Sequence, residues 1–266
     1  MKQNMYENIE TIWSGVVDEA ERETGVDCWR FKRAKFHVSD VVRSTENIPV
    51  QNSDFMTVPD LEDKPWWSIE DFDPVMQGFL KRMEVLFGEY QEEFENNMGS
   101  VTFGEGAATF YYGANEGWKI FLFYGNEAEE APGASKVFPK IAAILREMRD
   151  ANYIAKSHFS VLKAGGSIPV HCGGVNHKLR LHYGMRIPDG DIAIKVGGDT
   201  RRWENGKVLL FDDTFPHEVW NNTPHDRYIL HCRIQHPGLS ADERRVSYAL
   251  ESKLSRALER NKPGQQ

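Results

Sequence analysis

The sequence has few of the features that mark secreted, membrane-anchored or polyanion-binding proteins. Its three cysteines, Cys28, Cys172 and Cys232, form no Cys-x-x-Cys pair, which excludes a disulfide framework and a zinc knuckle. The N-terminus carries acids and no apolar signal region, and no run of eighteen apolar residues occurs. The net charge of -8 and the pI near 5.6 disfavour a basic face for a nucleic acid polymer or a membrane. We therefore expect an unanchored cytoplasmic protein, with small anions among its possible ligands.

Apolar periodicity predicts helices at both ends of the chain and in its first half. The predicted helices cover residues from about 5 to 22, from Asp73-Pro74 to near Asn96, from Phe138 to Asp150, and a terminal stretch that follows the capping box Ser240-x-x-Glu243. A strand is predicted over residues 119–124. The glycine-rich stretch 99–117 predicts an irregular loop near the substrate side.

The second half of the chain has a different pattern. Short β-rich runs from residue 158 to 235 are separated by Gly, Pro, Asn and Asp, which is typical of an antiparallel sandwich or barrel. The length of 266 residues and the hydrophobic content of 40% are enough for one large core. We expect a mainly β protein with flanking helices, in which an N-terminal segment (residues 1–57) packs on a core domain (residues 58–260).

Two separated histidines and a late arginine are the residues in this β-rich half that carry chemistry. His171 and His217 are neutral imidazole donors of the kind that Fe(II) binds well, and a site with few protein ligands leaves open positions for other molecules. Arg227 has the planar, permanently charged fork that pairs with a carboxylate through two hydrogen bonds. This order of residues is what an iron oxygenase that uses 2-oxoglutarate requires.

Strand alternation predicts which side chains share a cavity. A strand through Arg180 and His182 places both on one face, and a strand through Arg227 places His231 on the same face as the arginine. An arginine on a buried strand is costly unless an anion meets it. Pairing of Arg227 with its neighbour Asp226 is the alternative to a cosubstrate role. We expect the remaining histidines to be hydrogen-bonded structural residues: His37, His158, His177, His225 and His236.

The motifs around these residues resemble the aspartyl/asparaginyl β-hydroxylase family. The resemblance is carried by SVLKAGGSIPVHCGGVNHKLRLHYGMRIP and KVGGDTRRWENGKVLLFDDTFPHEVWNNTPHDRYILHCRIQHP, within residues 160–237, and by the earlier landmarks VPDLEDKPWW and GWKIFLFYG. It implies a double-stranded β-helix (jelly-roll or cupin-like) core, and Fe(II), 2-oxoglutarate and O₂ as cofactor and cosubstrates. It assigns iron to His171 and His217, and contacts with 2-oxoglutarate to Ser160, Arg180, His182 and Arg227.

Gly173 stands where commoner iron oxygenases of this kind carry a carboxylate, two residues after the first histidine. The resemblance implies that water fills the missing ligand position and that Asp213 holds it as a catalytic residue; Asp212 and Asp213 are otherwise plain turn residues. An oxygenase that hydroxylates a C–H bond of a small molecule, amino acid or peptide and releases succinate and CO₂ is our first expectation. A halogenase with chloride beside Gly173 is the second, and a non-catalytic binding relative is the third. In a hydroxylase, Gly173→Asp is expected to be tolerated.

Overall fold

The computed structural model describes residues 8–37, 53, 55–105, 117–125 and 129–260. The α-helices of these residues are α1 Ile9–Thr24, α2 Trp29–Lys32, α3 Pro74–Val85, α4 Phe87–Asn97, α5 Ala134–Val137, α6 Pro139–Asp150 and α7 Ala241–Arg260, with 3-10 turns at Ile69–Asp71 and Met98–Ser100. The strands are β1 Lys35–Phe36, β2 Met56–Thr57, β3 Trp66–Trp67, β4 Gly104–Glu105, β5 Trp118–Tyr124, β6 Ile154–Leu162, β7 Ser167–His171, β8 Lys178–Arg186, β9 Ile192–Val196, β10 Asp199–Arg201, β11 Val208–Phe211, β12 His217–Asn221 and β13 Arg227–Gln235.

Two antiparallel sheets form the body of the protein. The larger sheet has seven strands in the order β3-β11-β8-β13-β6-β5-β4, and the smaller has four in the order β10-β9-β12-β7. From β6 onwards the chain passes back and forth between them, so that strands distant in sequence pair, such as β6 with β13 and β7 with β12. The fold is mainly β with flanking helices and has the double-stranded β-helix core that the family resemblance implies.

The central strands of the larger sheet are buried on both faces, and the two faces differ. Phe159, Leu181 and Leu230 point to the helices and join one apolar cluster with residues of α3, α4 and α6. The opposite face looks toward the smaller sheet, where Ile194, Phe211 and other apolar side chains close one part of the space between the sheets. The rest of that space is a cavity.

The first and last helices pack against each other beside this body. Trp13 and Val17 of α1 lie in one apolar cluster with Val246 and Leu250 of α7. The predicted capping box is confirmed at the start of α7, where the Ser240 backbone N–H donates to Glu243 and the Glu243 N–H donates to Ser240 Oγ. The boundary at residues 57/58 stays a prediction.

Two expectations about the first half are corrected. The single helix predicted from Pro74 to near Asn96 is two helices that meet at Leu86, where the backbone leaves the helical region (φ -89°, ψ 13°). The break lets Leu86 and Phe87 at the helix junction pack on the core, while Val85 at the end of α3 stays exposed. The predicted loop 99–117 contains strand β4, and its residues 106–116 lie outside the described residues.

None of the described helices combines the length and the apolar character needed to cross a membrane.

Candidate active site

A cavity of about 330 Å³ lies between the two sheets, as bounded by the described residues. That volume is at the lower end of the range of small-molecule sites, roughly 300–1,000 Å³. Its lining comes from β6, β8 and β13 of the larger sheet and from β7, β9 and β12 of the smaller. Every predicted site residue lines it: Ser160, His171, Arg180, His182, Asp213, His217 and Arg227.

His171 and His217 lie side by side on neighbouring strands of the smaller sheet. They are register partners at the end of β7 and the start of β12, and their ring centroids lie 4.0 Å apart. In each ring Nδ1 donates to the backbone carbonyl two residues earlier, at 2.8 Å to Pro169 and 3.0 Å to Phe215. In that tautomer Nε2 carries the lone pair, which is how metal-binding histidines are commonly oriented.

Burial keeps both rings neutral. It lowers the pKa of His171 to about 3, with a further contribution from the neighbouring His217, and it lowers the pKa of His217 to about 4. Neutral imidazole is the form that binds a metal. Within the part of the chain that the structure describes, no group of three His, Cys, Asp or Glu side chains could hold a metal ion. Two neutral imidazoles, each with the lone pair on Nε2, are a donor set that fits a metal held by two histidines, with other positions open.

Arg227 is buried at the opposite wall of the cavity. Its side chain is 1% exposed, and its Nη2 donates to Ser160 Oγ at 3.1 Å. Nε and Nη1 have no hydrogen-bond partner among the described residues. Burial lowers the pKa of Arg227 to about 9, yet a guanidinium does not give up its proton in proteins, so the charge requires an anion. The alternative pairing with Asp226 is wrong, because Asp226 pairs with Lys163 at 2.7 Å.

Two tryptophans orient the groups around Arg227. Trp118 Nε1 donates to Ser160 Oγ at 2.9 Å, so this oxygen already accepts two hydrogen bonds and its own O–H must donate elsewhere. The Trp203 ring lies 4.8 Å from the Arg227 guanidinium, and its Nε1 donates to His182 Nδ1 at 3.1 Å. Nε2 of His182 therefore carries the proton. The guanidinium N–H groups of Arg227, the hydroxyl of Ser160 and the Nε2–H of His182 can each donate a hydrogen bond to an anion.

Asp213 and Arg180 form an ion pair beside the two facing histidines. Arg180 Nη2 lies 2.5 Å from Asp213 Oδ2, and the Gly173 N–H donates to the Asp213 carbonyl at 2.6 Å. A Cβ added to Gly173 would overlap the Asp213 carboxylate. The expectation that Gly173→Asp is tolerated stays a prediction, and it requires the Asp213 carboxylate to move away from Gly173. Asp212 is a turn residue as expected, accepting hydrogen bonds from Thr214.

Several lining residues had no site role in the sequence analysis. His158 was expected to be a hydrogen-bonded structural residue, but it lies in the cavity wall and neither ring nitrogen has a partner among the described residues. Its ring centroid is 4.4 Å from that of His231, which lies 5.0 Å from His182. Burial lowers the pKa of His158 to about 3. Side chains alternate along β6, so a strand that turns Ser160 into the cavity also turns His158 and Lys156 into it. This alternation could have predicted from the sequence that both residues line the site.

Parts of this chain are similar in sequence to known hydroxylases. The family model described as Aspartyl/Asparaginyl beta-hydroxylase matches residues 82–237, more than half of the chain. The mouse protein "Aspartyl/asparaginyl beta-hydroxylase" is 33% identical over 130 residues, which are 48% of this chain and 17% of that protein. "Ornithine lipid ester-linked acyl 2-hydroxylase" of Rhizobium tropici is 32% identical over 135 residues, 50% of this chain and 46% of that protein. The chain thus spans less than half the length of these two relatives.

Solved structures give weaker likenesses. HygX from Streptomyces hygroscopicus, solved with nickel and 2-oxoglutarate bound, matches with a TM-score of 0.40 and 10% identity over 57% of this chain and 80% of that one. A Pseudomonas putida prolyl-4-hydroxylase matches with a TM-score of 0.37 and 12% identity over 62% of this chain and 89% of that one. At these TM-scores the likenesses carry no argument about the site.

Proposed function

We propose, from the premise that this chain belongs to the aspartyl/asparaginyl β-hydroxylase family, that it is an Fe(II)- and 2-oxoglutarate-dependent hydroxylase of a small molecule, amino acid or peptide. The observation that carries the proposal is Arg227, a buried guanidinium with two nitrogens that have no partner among the described residues, in the same cavity as two neutral neighbouring histidines. A metal-binding pair and an unmatched buried cation in one cavity suit a cosubstrate that is both a metal chelator and a dicarboxylate.

Each residue has a separate task in this proposal. His171 and His217 hold the iron through Nε2. Arg227 pairs with the far carboxylate of 2-oxoglutarate, while the Ser160 hydroxyl and His182 Nε2–H donate to it. Bound iron supplies the oxygen activation that places one oxygen atom in a substrate C–H bond while 2-oxoglutarate becomes succinate and CO₂. The walls of the cavity fix the positions of both reactants.

The proposal favours hydroxylation over halogenation for a steric and an electrostatic reason. A chloride in the halogenase alternative would take the space beside Gly173, where a carboxylate side chain is missing. In this chain the Asp213 carboxylate lies against Gly173 and is held there by Arg180. An anion would have to displace a negatively charged group. The same carboxylate is an acceptor that can orient a water molecule, which suits the role expected for Asp213.

The proposal is tested by anaerobic loading with Fe(II) and 2-oxoglutarate, followed by air in saturating chloride and a panel of amino acids, peptides and small metabolites. We expect succinate to form in step with a product that gains one oxygen atom. His217→Ala should abolish both signals, because it removes one of two protein ligands, whereas the exposed His225→Ala should retain them. A chlorinated product, or full turnover by His217→Ala, would contradict the proposal.

A further inference from the structure

The end of the cavity away from Arg227 is lined by a second group of cations. Lys156 on β6, Arg180 on β8 and Arg233 on β13 all line it. Arg180 and Arg233 are register partners across neighbouring strands, and the row His158, His231 and His182 lies between these cations and Arg227. The cavity thus has a positive group at each end and neutral imidazoles in the middle.

The described carboxylates do not match this second group. Asp213 is engaged by Arg180 at 2.5 Å. Glu251 lies 3.9 Å from Arg233, but it also lies 2.5 Å from Lys178 and 3.0 Å from His177, so one carboxylate is shared among three groups. Arg233 Nε has no hydrogen-bond partner among the described residues, and Glu129 is the carboxylate whose charge acts on Lys156.

One molecule of 2-oxoglutarate is much shorter than the backbone separation of the two ends. Ser160 and Lys156 lie four residues apart on β6, a backbone distance of roughly 13 Å at about 3.3 Å per residue. A five-carbon diacid spans about 6 Å at most, at about 1.5 Å per bond. The cation group at Lys156 and Arg233 is therefore available to another molecule while Arg227 holds the cosubstrate.

We infer that Lys156 and Arg233 form a second anion subsite, which binds a carboxylate or phosphate group of the substrate. This inference rests on the proposed function, in which 2-oxoglutarate is the anion bound at Arg227. Lys156 and Arg233 are partly buried groups of like charge whose carboxylate neighbours compensate them only in part, and an anionic ligand relieves their repulsion. Burial lowers the pKa of Lys156, Arg233 and Arg180 lower it further, and the negative charge of Glu129 offsets only part of this effect.

The test is a calorimetric titration of the full-length, Fe(II)-loaded protein without oxygen, with and without saturating 2-oxoglutarate. The probes are two matched pairs: O-phospho-L-serine against L-serine, and N-acetyl-L-aspartate against N-acetyl-L-asparagine. Wild-type protein should prefer the anionic member of at least one pair by about tenfold or more, as expected for a charge-assisted hydrogen bond. The pair that responds tells whether phosphate or carboxylate is the group bound.

The variants are Lys156→Gln, Arg233→Gln and their combination, with Lys195→Gln as the control, since Lys195 is a half-exposed lysine outside the cavity lining. The double variant should prefer the anion by no more than about twofold, keep its 2-oxoglutarate affinity and melt at no lower temperature than wild type.

An undiminished preference in the double variant, no preference in wild type, or a lower melting temperature with the preference intact would overturn the subsite. Absence of 2-oxoglutarate binding by wild type would instead refute the proposed function, because the titration without cosubstrate still reports the subsite.

Discussion

The two faces of the larger sheet are built from the same strands by alternate residues, yet they have opposite physical character. On β6, Phe159 points to the helices and lies in a group of aromatic rings with centroids 4.9 to 5.1 Å from Phe94, Phe123 and Phe138. Its neighbour His158 points into the cavity with both nitrogens unpartnered among the described residues. One face stabilises the fold through apolar burial. The other carries buried polar groups that cost stability until a ligand meets them.

Adjacent substitutions on β6 test this difference most strongly. Phe159→Ala should lower the free energy of unfolding by about 3–5 kcal/mol, because it empties a closely packed aromatic cluster. His158→Leu should leave that free energy unchanged or raise it by up to about 1–3 kcal/mol, since it removes an unsatisfied buried polar group. Urea denaturation of both variants without metal measures the two values. A loss from His158→Leu as large as that from Phe159→Ala would show that both faces are structural.

A second prediction concerns the contact between Gly173 and Asp213 on the cavity side. Gly173→Ala should cost about 1–3 kcal/mol of stability, because the new methyl group overlaps the Asp213 carboxylate and must displace it from Arg180. Gly174→Ala is the matched control, since a Cβ there meets only Phe55 at 3.4 Å. In an Asp213→Ala background the cost of Gly173→Ala should largely disappear. Equal costs in both backgrounds would mean that the two residues are not coupled.

A third prediction concerns the acid sensitivity of the cavity face. Burial lowers the pKa of His158 to about 3 and the pKa values of His182 and His231 well below 6.5, so below pH 6.5 the unfolded chain binds protons that the folded protein does not. Their contribution to stability is therefore complete above pH 6.5 and is lost as the pH falls from 6.5 toward about 3. Each histidine contributes at most about 1.4 kcal/mol per pH unit. His158→Gln should reduce the slope of unfolding free energy against pH between 6.5 and 4.5; an unchanged slope would contradict the assignment.

Features that depend on residues close together in the chain could be predicted from the sequence. The spacing and neighbours of His171, His217 and Arg227 predict that they act together, and the structure brings all three to one cavity. Apolar periodicity predicts α1, α6 and α7. Strand alternation correctly placed Arg180 with His182. These are local properties, readable from residues close together in the chain.

The remaining features depend on contacts between distant residues. The hydrogen bond from Trp118 to Ser160 joins residues 42 positions apart, and the bond from Trp203 to His182 depends on a loop that returns over β8. His158 was assigned a structural role because a histidine alone does not reveal which partners it lacks. The clash at Gly173 was missed because the carboxylate that fills its space comes from Asp213, forty residues later along the chain.

The central claim is that the polar face of the larger sheet binds 2-oxoglutarate through Arg227, and the most direct measurement is its affinity in Fe(II)-loaded protein without oxygen. We expect Arg227→Gln to weaken binding by on the order of 2–5 kcal/mol, because a buried carboxylate loses its charged partner. Arg233→Gln, at the other end of the cavity, should bind 2-oxoglutarate as wild type does. Equal affinity in Arg227→Gln and wild type, or weakening by Arg233→Gln alone, would contradict the account.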